Sequence, residues 1–215
     1  MLGSGTSADV VTNPLDRALL AQLAAVVERS TAAMQDYEYA RALQNAEQFF
    51  WTFTDDYVEL VKDRAYGARG QDEQASVHAA LATTLDAVLR LFAPFLPFAT
   101  DEVWSWWRTG SVHRAAWPAA ESLSGAVTGA DPEILTTVGE ALSGLRKAKS
   151  EAKVKQRTAV RSATITAPAE EVAHLEAGLG DLRAAGNAAE LTLVPGTEGL
   201  SVRDVELAPA EEPVR

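Results

Sequence analysis

Between Arg146 and Arg161 the chain reads RKAKSEAKVKQRTAVR: seven basic residues (Arg146, Lys147, Lys149, Lys153, Lys155, Arg157 and Arg161) against the single acid Glu151. Ammonium and guanidinium groups at this density suit charge-assisted hydrogen bonds to phosphate oxygens. A solvated helix end can carry the same residues, because cations offset the partial negative charge of its last carbonyls. The setting makes the strip informative. The chain has 215 residues, 19 Lys and Arg against 30 Asp and Glu, and a formal net charge of −11. A confined basic strip on an acidic protein points to a local phosphate-binding surface, not to a generally basic one.

A second stretch concentrates groups of another kind. FFWTFTDDYVELVKDRAYG, residues 49–67, interleaves Phe49, Phe50, Trp51, Phe53, Tyr57 and Tyr66 with Asp55, Asp56, Glu59, Lys62, Asp63 and Arg64. Flat rings can stack on bases or fill a core, and spacing separates the two. Leu43, Ala46, Phe49/Phe50, Phe53, Tyr57, Leu60/Val61 and Arg64 recur at three- and four-residue steps, the repeat of one helical face. Most of the rings are therefore expected inside. The polar residues at the two ends of that helix stay open for contact.

Catalytic chemistry is not legible. His78, His113 and His174 fall in separate elements without metal-ligand spacing, and each reads as a buried or capping histidine. G-x-S-x-G and Gly-rich phosphate loops are missing from the sequence. The chain has no cysteine, which removes disulfides and thiolate metal sites. No catalytic residue, metal or cofactor is expected. Hydrophobic residues make up 47% and charged residues 23%, a globular composition. Without an uninterrupted apolar run of roughly 18 residues no membrane span is expected. MLGSGTSADVVTNP has neither the basic nor the apolar region of a secretory leader, so a cytoplasmic location is expected.

The elements that must position these groups follow from periodicity and caps. Residues 1–12 read as a flexible lead-in. Asn13 or Thr12 as cap, Pro14 at the first helical position and Asp16 in the first turn start a helix whose apolar face holds Leu15, Leu19, Leu23, Val26 and Val27. A second helix is expected from about Tyr39 to Tyr66, and a third from about Asp72 to Phe92. Pro94 and Pro97 break the ladder, and Thr100 is read as the cap of a short fourth helix through Trp107. Residues 109–130 read as a connector. A fifth helix, about Pro132 to Lys149, delivers the basic strip. Residues 162–168, 189–195 and 200–207 then read as strands, with a helix over Val172–Ala185. The fold class is mainly α: a helical bundle over 13–108, then a helix plus a small α+β domain over 131–207. Residues 208–215 are expected to be disordered.

Three stretches together carry a family resemblance. QNAEQFFWTFTDDYVELVKDRAYG (44–67), LFAPFLPFATDEVW (91–104) and SVHRAAWP (111–118) follow one another at spacings similar to the C-terminal region of the valyl-tRNA synthetase family. The middle stretch also resembles the isoleucyl, leucyl and methionyl families; the first and last look most like the valyl one. The resemblance covers roughly residues 13–207. It implies an anticodon-binding helical bundle that receives the stem-loop of valine tRNA, followed by a small module near the tRNA body. The family's His-x-Gly-His and Lys-Met-Ser-Lys-Ser signatures are missing from this sequence, as is its editing domain. ATP and Mg are therefore implied only for a catalytic half, which would be a partner if this chain is part of such an enzyme. A monomer is expected.

The resemblance also assigns roles. An anticodon loop offers unstacked bases to aromatic or guanidinium faces, each stack worth about 1–3 kcal/mol. The candidates at the ends of the second helix are Arg41, Lys62, Arg64, Tyr66 and Arg69. For Lys62 and Arg64, pairing with Glu59 and Asp63 is the competing reading. The seven cations of the basic strip are the candidates for phosphate contact. Two other functions stay open: a helical protein-interaction module, which needs no basic strip, and a stand-alone tRNA-binding factor.

Overall fold

The computed structural model describes residues 10–209. Most of the expected lead-in and of the expected disordered tail lies outside the described residues. Val11, at the start, is buried in the core, and the Thr12 N–H donates to Ser76 Oγ. Helix α1, Pro14–Gln35, begins as its sequence dictates: Asn13 Oδ1 accepts from the Leu15 N–H at 2.9 Å, and Pro14 takes the position where a missing N–H costs nothing.

The second expected helix is one helical rod with a change of pitch inside it. Helix α2, Tyr39–Trp51, passes into a π-helical turn, Thr52–Tyr57, and then into α3, Val58–Ala65. The core rings Phe49, Phe53 and Tyr57 are spaced four apart, and each such step overshoots a 3.6-residue turn by about 40°. A wider π turn removes that drift, so all three rings stay on the buried face. Phe49 and Phe53 lie near-parallel at 6.5 Å between centroids, Phe53 and Tyr57 at 6.1 Å.

Helix α4, Gln71–Phe92, crosses the bundle beneath α1 and α2. By length and composition it could cross a membrane, although His78 and Asp86 interrupt its apolar stretch. Most of its apolar window is buried among the other helices, as befits a core helix. Helix α5, Pro97–Ser105, starts at Pro97, not at Thr100. Thr100 is buried and its hydroxyl donates to the Leu96 carbonyl at 2.9 Å, so it sits inside the helix and caps nothing.

Residues 109–130 hold two short 3₁₀ turns and helix α6, Ser124–Val127, with Leu123 and Ala126 buried against α1. Helix α7, Glu133–Glu151, then leads into β1 (Val160–Ala167), α8 (Ala169–Gly186), β2 (Ala188–Pro195) and β3 (Ser201–Leu207). The three strands form a sheet in the order β2-β1-β3, parallel between β1 and β2 and antiparallel between β1 and β3. Helix α7 packs on α8 so closely that a Cβ at Gly178 would stand 2.6 Å from Val138 Cγ2. The buried apolar core runs without a break from Leu15 in α1 through Leu142 in α7 to Leu191 in β2. The expected class, mainly α with a small α+β part, is the one observed.

Candidate nucleic-acid interface

The basic strip occupies the last two turns of α7, the loop 152–159 and the first residues of β1. Its local shape comes from how α7 stops. Lys153 adopts the left-handed conformation, φ 56°, while its N–H bonds the Ser150 carbonyl and the Val154 N–H bonds the Lys149 carbonyl. This double bond pattern is the Schellman ending, whose left-handed position is most cheaply filled by glycine. A lysine there holds backbone strain and projects its charge beyond the helix end.

Lys149 does not face solvent. It is 2% exposed, and its ammonium donates to the Gln156 carbonyl at 2.9 Å and to the Gly186 carbonyl at 2.7 Å. Burial pushes this ammonium below its ordinary pKa of 10.5. The expectation that Lys149 touches phosphate is therefore corrected. It pins the basic loop to the C-terminal end of α8, where a cation is also favoured by the helix dipole. Gln156 adds a second pin, its amide donating to the Arg146 carbonyl and to Ser150 Oγ. Arg146 is half-buried and turned inward: both terminal nitrogens donate to the Asp55 carbonyl at 3.2 and 3.3 Å, and Asp56 lies 3.7 Å away. Burial raises the Asp56 carboxyl, opposed by the charge of Arg146.

The remaining cations point outward. Lys147 is 76% exposed and only 4.0 Å from Glu151 at closest. Lys153, Lys155, Arg157 and Arg161 are exposed, and none of their charged groups has a hydrogen-bond or ion-pair partner among the described residues. Among the described residues no carboxylate lies within ion-pair distance of these four, so their positive charge stays exposed and uncommitted.

The candidates near the second helix divide more sharply. Arg64 is fully buried, and it is spent. Its Nε donates to both oxygens of Asp181 at 2.9 and 3.1 Å, and its terminal nitrogens donate to Asp16 at 2.5 and 2.8 Å and to Glu73 at 3.3 Å. The Tyr57 hydroxyl and Ser76 Oγ donate to the same Asp16 carboxylate at 2.7 and 2.6 Å. Burial alone would lower the Arg64 guanidinium, but the bonds and charges of Asp16 and Asp181 outweigh it and hold it firmly protonated. Burial raises Asp181 against the pull of Arg64 and Arg69, and burial beside Asp16 holds the Tyr57 hydroxyl well above its usual range. Arg64 therefore ties α1, α3, α4 and α8 together and cannot reach an RNA; that expectation is corrected.

Lys62 and Arg41 are exposed and paired with Glu59 at 2.5 Å and Glu38 at 2.6 Å, surface pairs worth little. Arg69 pairs with Asp63 and Asp181, each at 3.3 Å. Tyr66 is 86% exposed with a free ring face. The three histidines bridge elements: His78 to the Ala65 carbonyl, His113 to the Pro97 carbonyl, and His174 between Thr137 and Asp131. No group of ligating side chains able to hold a metal occurs among the described residues.

Sequence reasoning missed some exposed rings and one arginine. Phe98 is 90% exposed and Trp106 71%, because Pro97 begins α5 and leaves Phe98 on the outer side of the first turn. Tyr37 stands at the end of α1 in the left-handed conformation and meets Tyr39 edge-on at 6.3 Å. Arg183, in the last turn of α8, has no partner for its guanidinium among the described residues. Only its position after an amphipathic stretch could have marked it as a helix-end cation.

Comparison with known proteins gives the interface a context. The family described as the anticodon-binding domain of tRNA ligase matches residues 16–164. The chain is 50% identical to valine–tRNA ligase of Leifsonia xyli subsp. xyli over 206 residues, 95% of this chain and 23% of that protein. It is 48% identical to valine–tRNA ligase of Thermobifida fusca over 98% of this chain and 24% of that protein. It is 47% identical to the enzyme of the same name from Bifidobacterium longum subsp. infantis, over 94% of this chain and 22% of that protein. The chain spans about a quarter of the length of the curated relatives it matches.

Proposed function

Because this chain belongs to the family of anticodon-binding domains of tRNA ligases, we propose that it holds a transfer RNA by its anticodon arm, and that the RNA is valine tRNA. In this reading the chain serves valyl-tRNA formation in the cytoplasm, while ATP, Mg and the bond-making chemistry belong to a catalytic half that it would partner. The observation that carries the reading is the set of exposed, unpaired cations Lys153, Lys155, Arg157 and Arg161 on an otherwise acidic protein. Each phosphate neutralised releases counterions, so such a strip gives affinity that falls steeply with salt. Tyr66, Arg41, Lys62 and Arg69 stand on the bundle side as candidates for loop contact, with Tyr66 the ring free to stack.

The test is an electrophoretic shift with valine tRNA at a series of salt concentrations, with a non-cognate tRNA as competitor. A salt-sensitive shift of valine tRNA that the non-cognate competitor does not abolish is expected. Replacing Lys153, Lys155 and Arg157 together by Ala should weaken binding about tenfold or more and lower the salt slope by about 2–3. Binding without cognate preference would favour a general tRNA holder. No shift even at low salt would remove the RNA reading and favour a protein-interaction module, which the exposed Leu96, Phe98 and Trp106 would suit.

A further inference from the structure

Where the end of α3 meets the end of α8 and the start of β2, the surface folds into an open groove of about 550 Å³. Asp63, Arg69, Val160, Gly180, Arg183 and Asn187 line it. We propose that this groove seats the phosphodiester backbone of the bound RNA, with Arg69 and Arg183 on its walls and Arg157 at its rim. The proposal rests on the tRNA-holding reading and names where on the chain that contact is made.

Three features of the groove argue for phosphate. The first is a pre-set guanidinium. Arg69 is anchored through Nε to Asp63 and through Nη1 to Asp181, while its Nη2 has no partner among the described residues. It lies against Gly180, where a Cβ would stand 2.5 Å from Nη1, so only glycine leaves room for the arginine in this pose. The entropy of fixing that side chain is already spent before a ligand arrives.

The second is an excess of uncommitted charge. Arg183 has no partner among the described residues, and the sole carboxylate lining the groove, Asp63, is engaged by Arg69. The third is the way the basic loop is tied to this place. The Asn187 amide donates to the Arg157 carbonyl at 2.8 Å, and the Asn187 carbonyl accepts from the Val160 N–H at 2.8 Å. Lys149 clamps the same junction from beneath through Gln156 and Gly186. Residues separated by over a hundred positions in sequence thus share one groove, and the exposed loop cations continue from its rim. From Arg69 and Arg183, where Asp63 is the carboxylate lining the groove, an extended polyanion could continue past Arg157 to Lys155, both exposed and without an ion-pair partner among the described residues. A compact free anion would use the groove alone.

The experiment measures valine tRNA affinity against salt concentration for the full chain, for Arg183→Gln, and for Arg203→Gln as control. Arg203 is exposed on β3, the strand at the opposite edge of the sheet, and among the described residues its one ion pair is with Glu198, at 3.7 Å. Arg183→Gln should lower affinity by about threefold to tenfold and the salt slope by about 1, with an unchanged thermal melt. Arg203→Gln should leave both within error. Inorganic phosphate, added at matched ionic strength, should not displace the tRNA. If Arg183→Gln binds like wild type while wild type binds tRNA, the groove assignment is overturned and the tRNA-holding reading stands. If phosphate displaces tRNA beyond the ionic-strength effect, the groove takes a free anion and the backbone assignment falls. If wild type binds no tRNA at low salt, both fall together.

Discussion

Arg64 and Lys153 both lie at helix ends and both belong to clusters of charge, yet the fold treats them oppositely. Around Arg64 the charges of Asp16, Arg64 and Asp181 are enclosed and Glu73 closes the cluster from the surface: four helices contribute, and the guanidinium spends itself on three carboxylates. Around Lys153 the cations stand in water on a short loop, and the backbone is strained to hold them there. The first cluster makes structure and the second keeps its charge available. Desolvation explains the difference, because a buried charge survives only when paired, and once paired it has nothing left for a ligand.

The comparison can be broken or sharpened by substitution. The largest effect is expected for Arg64→Ala, which leaves Asp16 and Asp181 buried without their cation. A loss of about 3–5 kcal/mol in urea unfolding is expected. A loss below about 1 kcal/mol would mean the network is open to water and that Arg64 is not the tie between α1 and α8.

Next comes Lys149, which belongs to the enclosed class despite lying in the basic strip. Lys149→Ala strips the Gln156 and Gly186 carbonyls of their donor and should cost about 1–3 kcal/mol. Its pH dependence has a definite sign. The folded state binds this proton less tightly than the unfolded chain, so between the lowered folded pKa and the ordinary 10.5 the unfolded state carries more protons. Wild type should therefore gain stability relative to Lys149→Met as pH rises through that window. A gap that stays flat would place the ammonium in solvent after all, and one that closes with rising pH would mean its two carbonyl partners outweigh burial and raise its pKa.

The smallest effect runs the other way. Lys153→Gly relieves the left-handed strain and should raise stability by about 1 kcal/mol, while weakening tRNA binding. A variant that gains stability and keeps full RNA affinity would make Lys153 an ordinary helix stop. A variant that gains stability and loses affinity would mark a site where strain is retained for contact.

The elements themselves were legible along the chain. Asn13-Pro14 marks the start of α1, and the apolar steps of four mark the rod from Tyr39 to Ala65. The alternation after residue 160 marks the sheet, because burial on one face imposes a period that any single strand or helix must write into its own residues. The π turn was not legible, since it resolves a conflict between the 3.6-residue turn and three rings that share one core, and that core is made by other helices.

Charge density at 146–161 and the likeness of three stretches to one family were likewise local facts, readable without any fold. Which cations remain free was not. Lys149 looks no different in sequence from Lys155, and the register that puts Arg64 on the apolar face does not name its partners; Asp16, Asp181 and Gly186 arrive from distant positions, and Gln156 folds back from the loop, to consume the two cations. The groove that joins Arg69, Arg183 and Arg157 exists for the same reason. Pairing and desolvation are set by what lies across space, so residue types announce themselves in order along the chain, while their availability is decided when the chain closes on itself.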